Sequence, residues 1–320
     1  MRGLVPCLAC ASAGTPSGQA ASPAPSTAGY LATPLPAIAD PERSALPAGL
    51  PPVVDAHVHL FPPRLNEALW RWFDTWAWPV RYRLHAEEVI GFLEARGVER
   101  MVALHYAHKP GIAESLNDFV AALAADHPKV VGTATVMPGE PDAVGILERA
   151  FDKGLRGVKL HCHVQCFAPD DEALHDVYAC CVRHDAPLVI HAGREPKSPG
   201  YACDPHTLCA AERIDRVLRD YPGLRVCVPH LGADEFGPYG ELLEHHDNLW
   251  LDTTMVMAGF FPTEAPVALL RRRPDRLLYG TDFPNIPYAW DRELLRILEQ
   301  ALPPDDLEHL LGKTARELWG

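Results

Sequence analysis

Val53–Leu60 reads VVDAHVHL, two valines followed by Asp55, His57 and His59 at every second position. A short apolar run with polar residues on alternate positions predicts a buried strand. Side chains on a strand alternate between its faces. The pattern therefore puts Asp55, His57 and His59 on one side and Val54, Ala56 and Val58 on the other. Two imidazoles on one face, at the C-terminal end of a strand, can hold a metal ion together. With 16 histidines in 320 residues a chance H-x-H is expected, so the motif alone decides nothing.

Downstream the same kind of apolar run recurs, at Arg100–Tyr106, Val130–Met137, Arg156–His161, Leu188–Ala192, Arg225–His230, Trp250–Thr254 and Leu277–Thr281. Between these strands lie helical patterns, at His85–Arg96, Ile112–Asp126, Asp142–Lys153, Asp171–His184, His206–Asp220, Tyr239–His246, Thr263–Arg271 and Trp290–Leu302. Gly97, Pro128, Gly154, Pro187 and Gly223 punctuate the joints. Strands alternating with helices suit either an open doubly wound sheet or a closed barrel. No G-x-G-x-x-G follows the first strand, and the count of eight favours a (β/α)8 TIM barrel. A last helix over Pro304–Leu318 is expected to pack outside the barrel, its Leu and Trp residues serving the core.

In such a barrel chemistry sits at the C-terminal strand ends. Strand one ends in His57 and His59, strand four in Lys159, His161 and His163, strand five in His191, strand six in His230 and strand eight in Asp282. Five separate buried polar ends would be an odd way to fill a core, and convergence on a metal explains them together. Imidazole and carboxylate oxygen suit Zn2+, Mn2+ or Fe2+, and an open position for water makes that water acidic enough to act at neutral pH. Asp282 is placed to take the water's proton and pass it to a leaving group.

DAHVHL, GVKLHCH, VIHAGR, VPHLG and YGTDFP, in this order over residues 53–320, resemble the amidohydrolase superfamily, and most of all its amidohydrolase-2 branch of metal-dependent hydrolases and related decarboxylases. The resemblance implies that His57, His59, His191 and Asp282 are metal ligands. It also implies that His230 orients the attacking water or binds a second metal. GVKLH resembles the pattern in which a strand-four lysine is carboxylated and bridges two ions, so Lys159 is either such a ligand or an ordinary lysine. An ordinary lysine there is neutralised by a nearby carboxylate or reaches for an anionic substrate. His161 resembles a substrate-contacting histidine. Where the branch has proline after KLH, this chain has Cys162 and then His163.

Residues 61–84 carry four tryptophans and are too long for an ordinary loop. They either roof the pocket or pack as a helix on the barrel rim or a dimer contact. Arg194 is either a bidentate clamp for a substrate carboxylate or a solvated loop residue. Asp252, Thr253, Thr254 and Thr281 are expected to hydrogen-bond groups around the ligands, and Asp55 to orient His57. His105, on the parity of Ala103, is a candidate for approaching the pocket.

A net charge of −13 argues against nucleic acid or an anionic membrane as the main partner. No apolar run approaches the ~20 residues that span a bilayer. Nine scattered cysteines form no disulfide framework, which points to reduced thiols and the cytoplasm. Residues 1–50, rich in Pro, Ala, Ser and Gly, read as a disordered leader or a misassigned start. The expectation is thus a cytoplasmic hydrolase, with one or two divalent ions (zinc first) and a small, carboxylate-bearing substrate. It is free of nucleic acid and membrane and open to homo-oligomer formation. A metal-dependent decarboxylase on the same scaffold is the alternative, and a non-catalytic barrel used for binding or as a scaffold is a weaker one.

Overall fold

The computed structural model describes residues 38–260 and 266–320. Eight parallel strands follow one another in the expected order. They are β1 (Val54–His59), β2 (Arg100–Leu104), β3 (Val130–Gly132), β4 (Val158–His161), β5 (Leu188–His191), β6 (Val226–Val228), β7 (Leu249–Asp252) and β8 (Leu277–Leu278). Neighbours pair in sequence within β1–β3 and within β4–β8. Two parallel bridges, Ala134 to Val158 and Val58 to Phe283, join these groups at both seams, so the sheet closes. It is a TIM barrel.

Alternate residues of a strand belong to two different cores, as the two-residue period requires. Leu188 and Ile190 pack in the cluster that includes the helices' apolar stripes. Val189 instead joins Val54, Ala56, Val102, Leu104 and Cys227 inside the barrel. The helices supply those stripes by 3.6-residue spacing: Ala86, Val89, Ile90 and Leu93 are the buried residues of Ala86–Ala95, and Ala211, Ile214, Val217 and Leu218 those of Ala211–Asp220. Gly97, at φ 94°, turns the chain out of the first of these helices into β2, a conformation that costs other residues a steric clash.

Three expectations change. The β1–β2 register shifts between Asp55 and Val58, so strict alternation fails there. Val58 consequently packs with the helix-side cluster, apart from Val54 and Ala56. The C-terminal helical segment does more than lie outside: Ala315, Leu318 and Trp319 belong to the interior cluster and close the barrel's base. In the stretch expected as helix 263–271, residues 263–265 lie outside the described residues, and Val267–Arg271 forms a 3-10 turn.

Of the segment expected as a leader, residues 1–37 lie outside the described residues. Residues 40–46 lie against the barrel. Asp40 makes a buried ion pair with Arg292 at 3.0 Å, and the Leu46 amide donates to the Arg96 carbonyl at 2.8 Å. No helix among the described residues is long and apolar enough to cross a membrane.

Candidate metal centre and active site

His57, His59 and Asp282 come together at the mouth of the barrel, each offering a ligand atom within 4.8 Å of the others, and all three are buried. Asp282 Oδ1 stands 3.0 Å from His59 Nε2 and 3.4 Å from His57 Nε2. The other nitrogen of each ring is already committed. His57 Nδ1 donates to Asp252 Oδ2 at 2.8 Å, and His59 Nδ1 donates to the Leu104 carbonyl at 2.9 Å. Carboxylates and carbonyls only accept, so in the neutral rings the proton sits on Nδ1 and the Nε2 lone pair faces Asp282. Three acceptors then converge with no proton between them. A cation at that point resolves the repulsion, and a second group fixing each ligand's tautomer is the usual support of a metal site. The residues present fit a divalent ion.

Burial shapes the charges here. His57 is lowered to about 4 by desolvation first and then by Lys159, with Asp252 opposing. Burial alone would raise Asp282, but the imidazoles of His59, His57 and His230 outweigh it and hold the carboxyl below its ordinary range. Asp282 and His230 both have left-handed backbones, at φ 69° and 58°, where non-glycine residues are strained. Such strain is often stored at functional sites. Gly280 makes room beneath them: a Cβ there would lie 2.8 Å from the His57 Cβ and 2.3 Å from Thr254 Oγ1.

His191 and His230 stand beside the triad. The His230 ring is 5.6 Å from that of His57 and 4.6 Å from that of His191. His230 Nδ1 donates to the Thr254 carbonyl at 2.9 Å, and its amide donates to Asp252 Oδ1 at 3.0 Å. Asp252 therefore braces His57 and His230 at once. His161 stacks on His191 at 4.1 Å with planes 9° apart. Lys159 is fully buried, and its Nζ has no hydrogen-bond partner among the described residues. Desolvation lowers it to about 8, against the pull of Asp252 and Asp282. Asp55 binds differently from expectation. It accepts from the Thr281 hydroxyl at 2.6 Å and from the Thr281 and His57 amides, tying β1 to the end of β8 rather than holding the His57 ring.

Above this floor lies a cavity of about 330 Å³, bordered by His59, His161, His163, His191, His230 and Asp282 below. The Trp-rich segment roofs it. Helix Pro63–Trp76 begins on a proline, where the missing N–H costs nothing, and turns Leu65, Leu69, Trp72 and Phe73 to the cavity. The Ser198 hydroxyl donates to the Trp76 carbonyl at 2.8 Å, and the Trp78 indole donates to the Asn285 carbonyl at 2.7 Å, fixing the roof to the β5 and β8 loops.

Arg194 is not among the residues bordering the cavity. Its Nε is held by Asp234 at 2.8 Å and Glu235 at 3.4 Å. His105 is also turned away, bonded to Asn117 at 3.0 Å. Tyr106 lines the cavity instead. Parity held the signal: Val102 and Leu104 point inward, and Tyr106 continues their face.

The family model for amidohydrolases matches residues 54–320. The chain belongs to the amidohydrolase family. Among solved structures it is similar to the TIM-barrel protein Bb4693 from Bordetella bronchiseptica, at 22% identity and TM-score 0.63, over 83% of this chain and 97% of that one. It is also similar to a 5-carboxyvanillate decarboxylase from Novosphingobium aromaticivorans complexed with manganese and 4-hydroxy-3-methoxy-5-nitrobenzoic acid (15% identity, TM-score 0.58, 85% and 96% covered). A third is an amidohydrolase from Burkholderia multivorans with bound HEPES (13% identity, TM-score 0.61, 83% and 98% covered). No curated protein matches the sequence. For this amidohydrolase, family and triad together support a divalent metal.

The buried imidazoles give a pH signature for the metal-stripped amidohydrolase. An imidazole whose folded pKa lies below its unfolded value resists protonation in the fold. Stability is intact above the unfolded value near 6.5 and is lost as pH falls toward the folded one. His57 and His105 (both lowered to about 4), His161, His191 and His230 all act in this direction, desolvation being the first cause in each. His57 alone is worth roughly 3 kcal/mol at most. Asp55, raised to about 7 by burial, acts oppositely: its stabilisation is complete below 3.8 and fades as pH rises through about 7. Glu293, Glu235 and Asp291, also raised by burial, act with Asp55, but the five buried imidazoles outnumber these four carboxyls, so the melting temperature of stripped protein should drop between pH 6.5 and 4.5 in calorimetry. A flat profile would show that these rings are not buried neutral.

Proposed function

We propose that this amidohydrolase is a metal-dependent hydrolase of a small molecule, working in the cavity under the Trp-rich roof. The observation that carries the reading is the convergence of His57 Nε2, His59 Nε2 and Asp282 Oδ1, with the rings' other nitrogens already bonded. His191 completes the ligand set in this reading. A divalent ion, zinc in our assignment and manganese as the alternative, supplies Lewis-acid polarisation of a substrate oxygen and acidification of water. Asp282 accepts the attacking water's proton at its carboxylate and returns it to the leaving group. His230, held by Thr254 and Asp252, orients that water. His161, stacked on His191 at the cavity floor, contacts the substrate. A substrate carboxylate, where there is one, belongs at this floor rather than on Arg194. The scattered cysteines support a cytoplasmic setting.

A second reading is non-oxidative decarboxylation in the same cavity, with an acid group delivering a proton to carbon. The aromatic walls favour it, and the similar Novosphingobium protein is a decarboxylase.

Metal analysis with product analysis tests both. Purified protein should carry one tightly held divalent ion per chain, and hydrolysis without CO2 release supports the first reading. CO2 release from an acid supports the second. Protein that binds no divalent ion rules out both. The orphaned Lys159 amine adds a step to the same experiment. If it is carboxylated, bicarbonate should raise the content toward two ions and give a carbamate 13C resonance that Lys159→Ala lacks. One ion in either buffer identifies an ordinary lysine.

A further inference from the structure

The roof helix sorts its residues by charge. Leu65, Leu69 and Trp72 face the cavity, while Arg64 and Arg71 are exposed on the solvent side. Trp72 lies 5.1 Å from Tyr201, ring planes 34° apart, and its indole N–H is directed at the Gly200 carbonyl at 3.4 Å. The Trp78 indole N–H is likewise committed, to Asn285. The indole donors are therefore spent on backbone, and the rings offer the cavity aromatic surface. Aromatic faces carry negative quadrupole density, which attracts ring edges and cations and repels anions.

No lysine or arginine borders the cavity among the described residues. Of the undescribed residues, 261–265 read FPTEA and hold no lysine or arginine, and 1–37 hold one, Arg2. The cations nearest in sequence to the β5 loop are bound elsewhere, Arg194 to Asp234 and Glu235, and Lys197 to Asp204 at 2.7 Å. His108, exposed at the rim, is held below its ordinary value by desolvation and by Lys109, and so is largely neutral at pH 7. A carboxylate pushed against these walls would lose water and gain no counter-charge.

We infer that the end of the substrate remote from the His–Asp floor is a flat, uncharged aromatic group, and that Leu69 and Trp72 exclude a second carboxylate there. The inference rests on the reading that substrate binds in this cavity with its reacting group at the metal floor. It makes the roof helix a specificity element: one anionic or oxygen-rich end meets the floor, and a neutral ring fills the upper slot.

Two probes that differ only in a remote charge test it, by calorimetric titration of metal-loaded protein. 2-Hydroxybenzoate presents an oxygen pair to the floor and a bare ring to the walls. 2-Hydroxyterephthalate adds a carboxylate para to the first. The first should bind at least about 10-fold more tightly than the second. Leu69→Arg, on a half-buried roof position, should narrow or reverse that ratio by placing a guanidinium in the wall. Equal or tighter binding of the diacid by the wild type overturns the inference, and so does failure of both probes to bind at millimolar concentration. The wild-type comparison stands even if the variant does not fold. Equal binding of 2-hydroxybenzoate to metal-stripped protein would instead remove the metal-floor reading, while the ratio of the two probes still judges the walls.

Discussion

Asp282→Asn should lower turnover roughly 1,000-fold, within the range that a positioned acid–base group contributes, while the barrel stays folded. The amide has the carboxylate's shape but neither its charge nor its basicity. In the wild type this carboxyl is held below its ordinary range despite burial, because His59, His57 and His230 become charged as acid is added, so at neutral pH it is ionised, as a proton acceptor must be. The variant should also hold its metal less tightly, because one of three converging acceptors is neutralised. Removing the charge should not unfold the protein. The side chain is a strand-end group, and the Asp282 amide still donates to the His57 carbonyl at 3.0 Å. Steady-state kinetics, metal content and a melting curve on the same preparation check all three points. Turnover within a few-fold of wild type would show that another group moves the proton.

The second large effect is expected at a residue that need not touch metal or substrate. Asp252→Ala removes the acceptor of the His57 Nδ1 proton and of the His230 amide in one step, at a position 1% exposed. Loss of such support costs metal sites about 10–100-fold in affinity. Each buried donor left without a partner adds roughly 1–3 kcal/mol of destabilisation. Competition with a chelator should therefore show metal held at least about 10-fold more weakly, and calorimetry a lower melting temperature. Asp252→Asn keeps an acceptor oxygen and should lose less on both measures. Unchanged affinity in the alanine variant would mean that the His57 tautomer is fixed by something other than Asp252.

Much of the architecture was legible because two periods are written into the chain. Runs such as Leu188–Val189–Ile190 before His191 announce strands buried on both faces, and stripes such as Ala86, Val89, Ile90 and Leu93 announce helices packed on one. Their regular alternation gave the barrel, and the barrel gave the strand ends as the place to look. His57, His59 and Asp282 were found this way. Parity was less reliable, since it presumes an unbroken strand. The register shift in β1 separated Val58 from Val54 and Ala56, and a choice of face on strand two favoured His105 over Tyr106.

Residue types at strand ends are a local property, so the sequence by itself determined a closed β/α barrel with a metal-competent ring of histidines and an aspartate at one mouth. Which of those groups meet, and what else surrounds them, depends on contacts between segments up to 226 residues apart, as in the Thr281–Asp55 bond. Only the tertiary structure could decide that Asp252 locks two histidines, that Arg194 is bound by Asp234 and Glu235, and that the tryptophan-rich helix closes over the floor. The reason is physical: a side chain's partner is set by where loops of variable length return, and short-range periodicity carries no record of that.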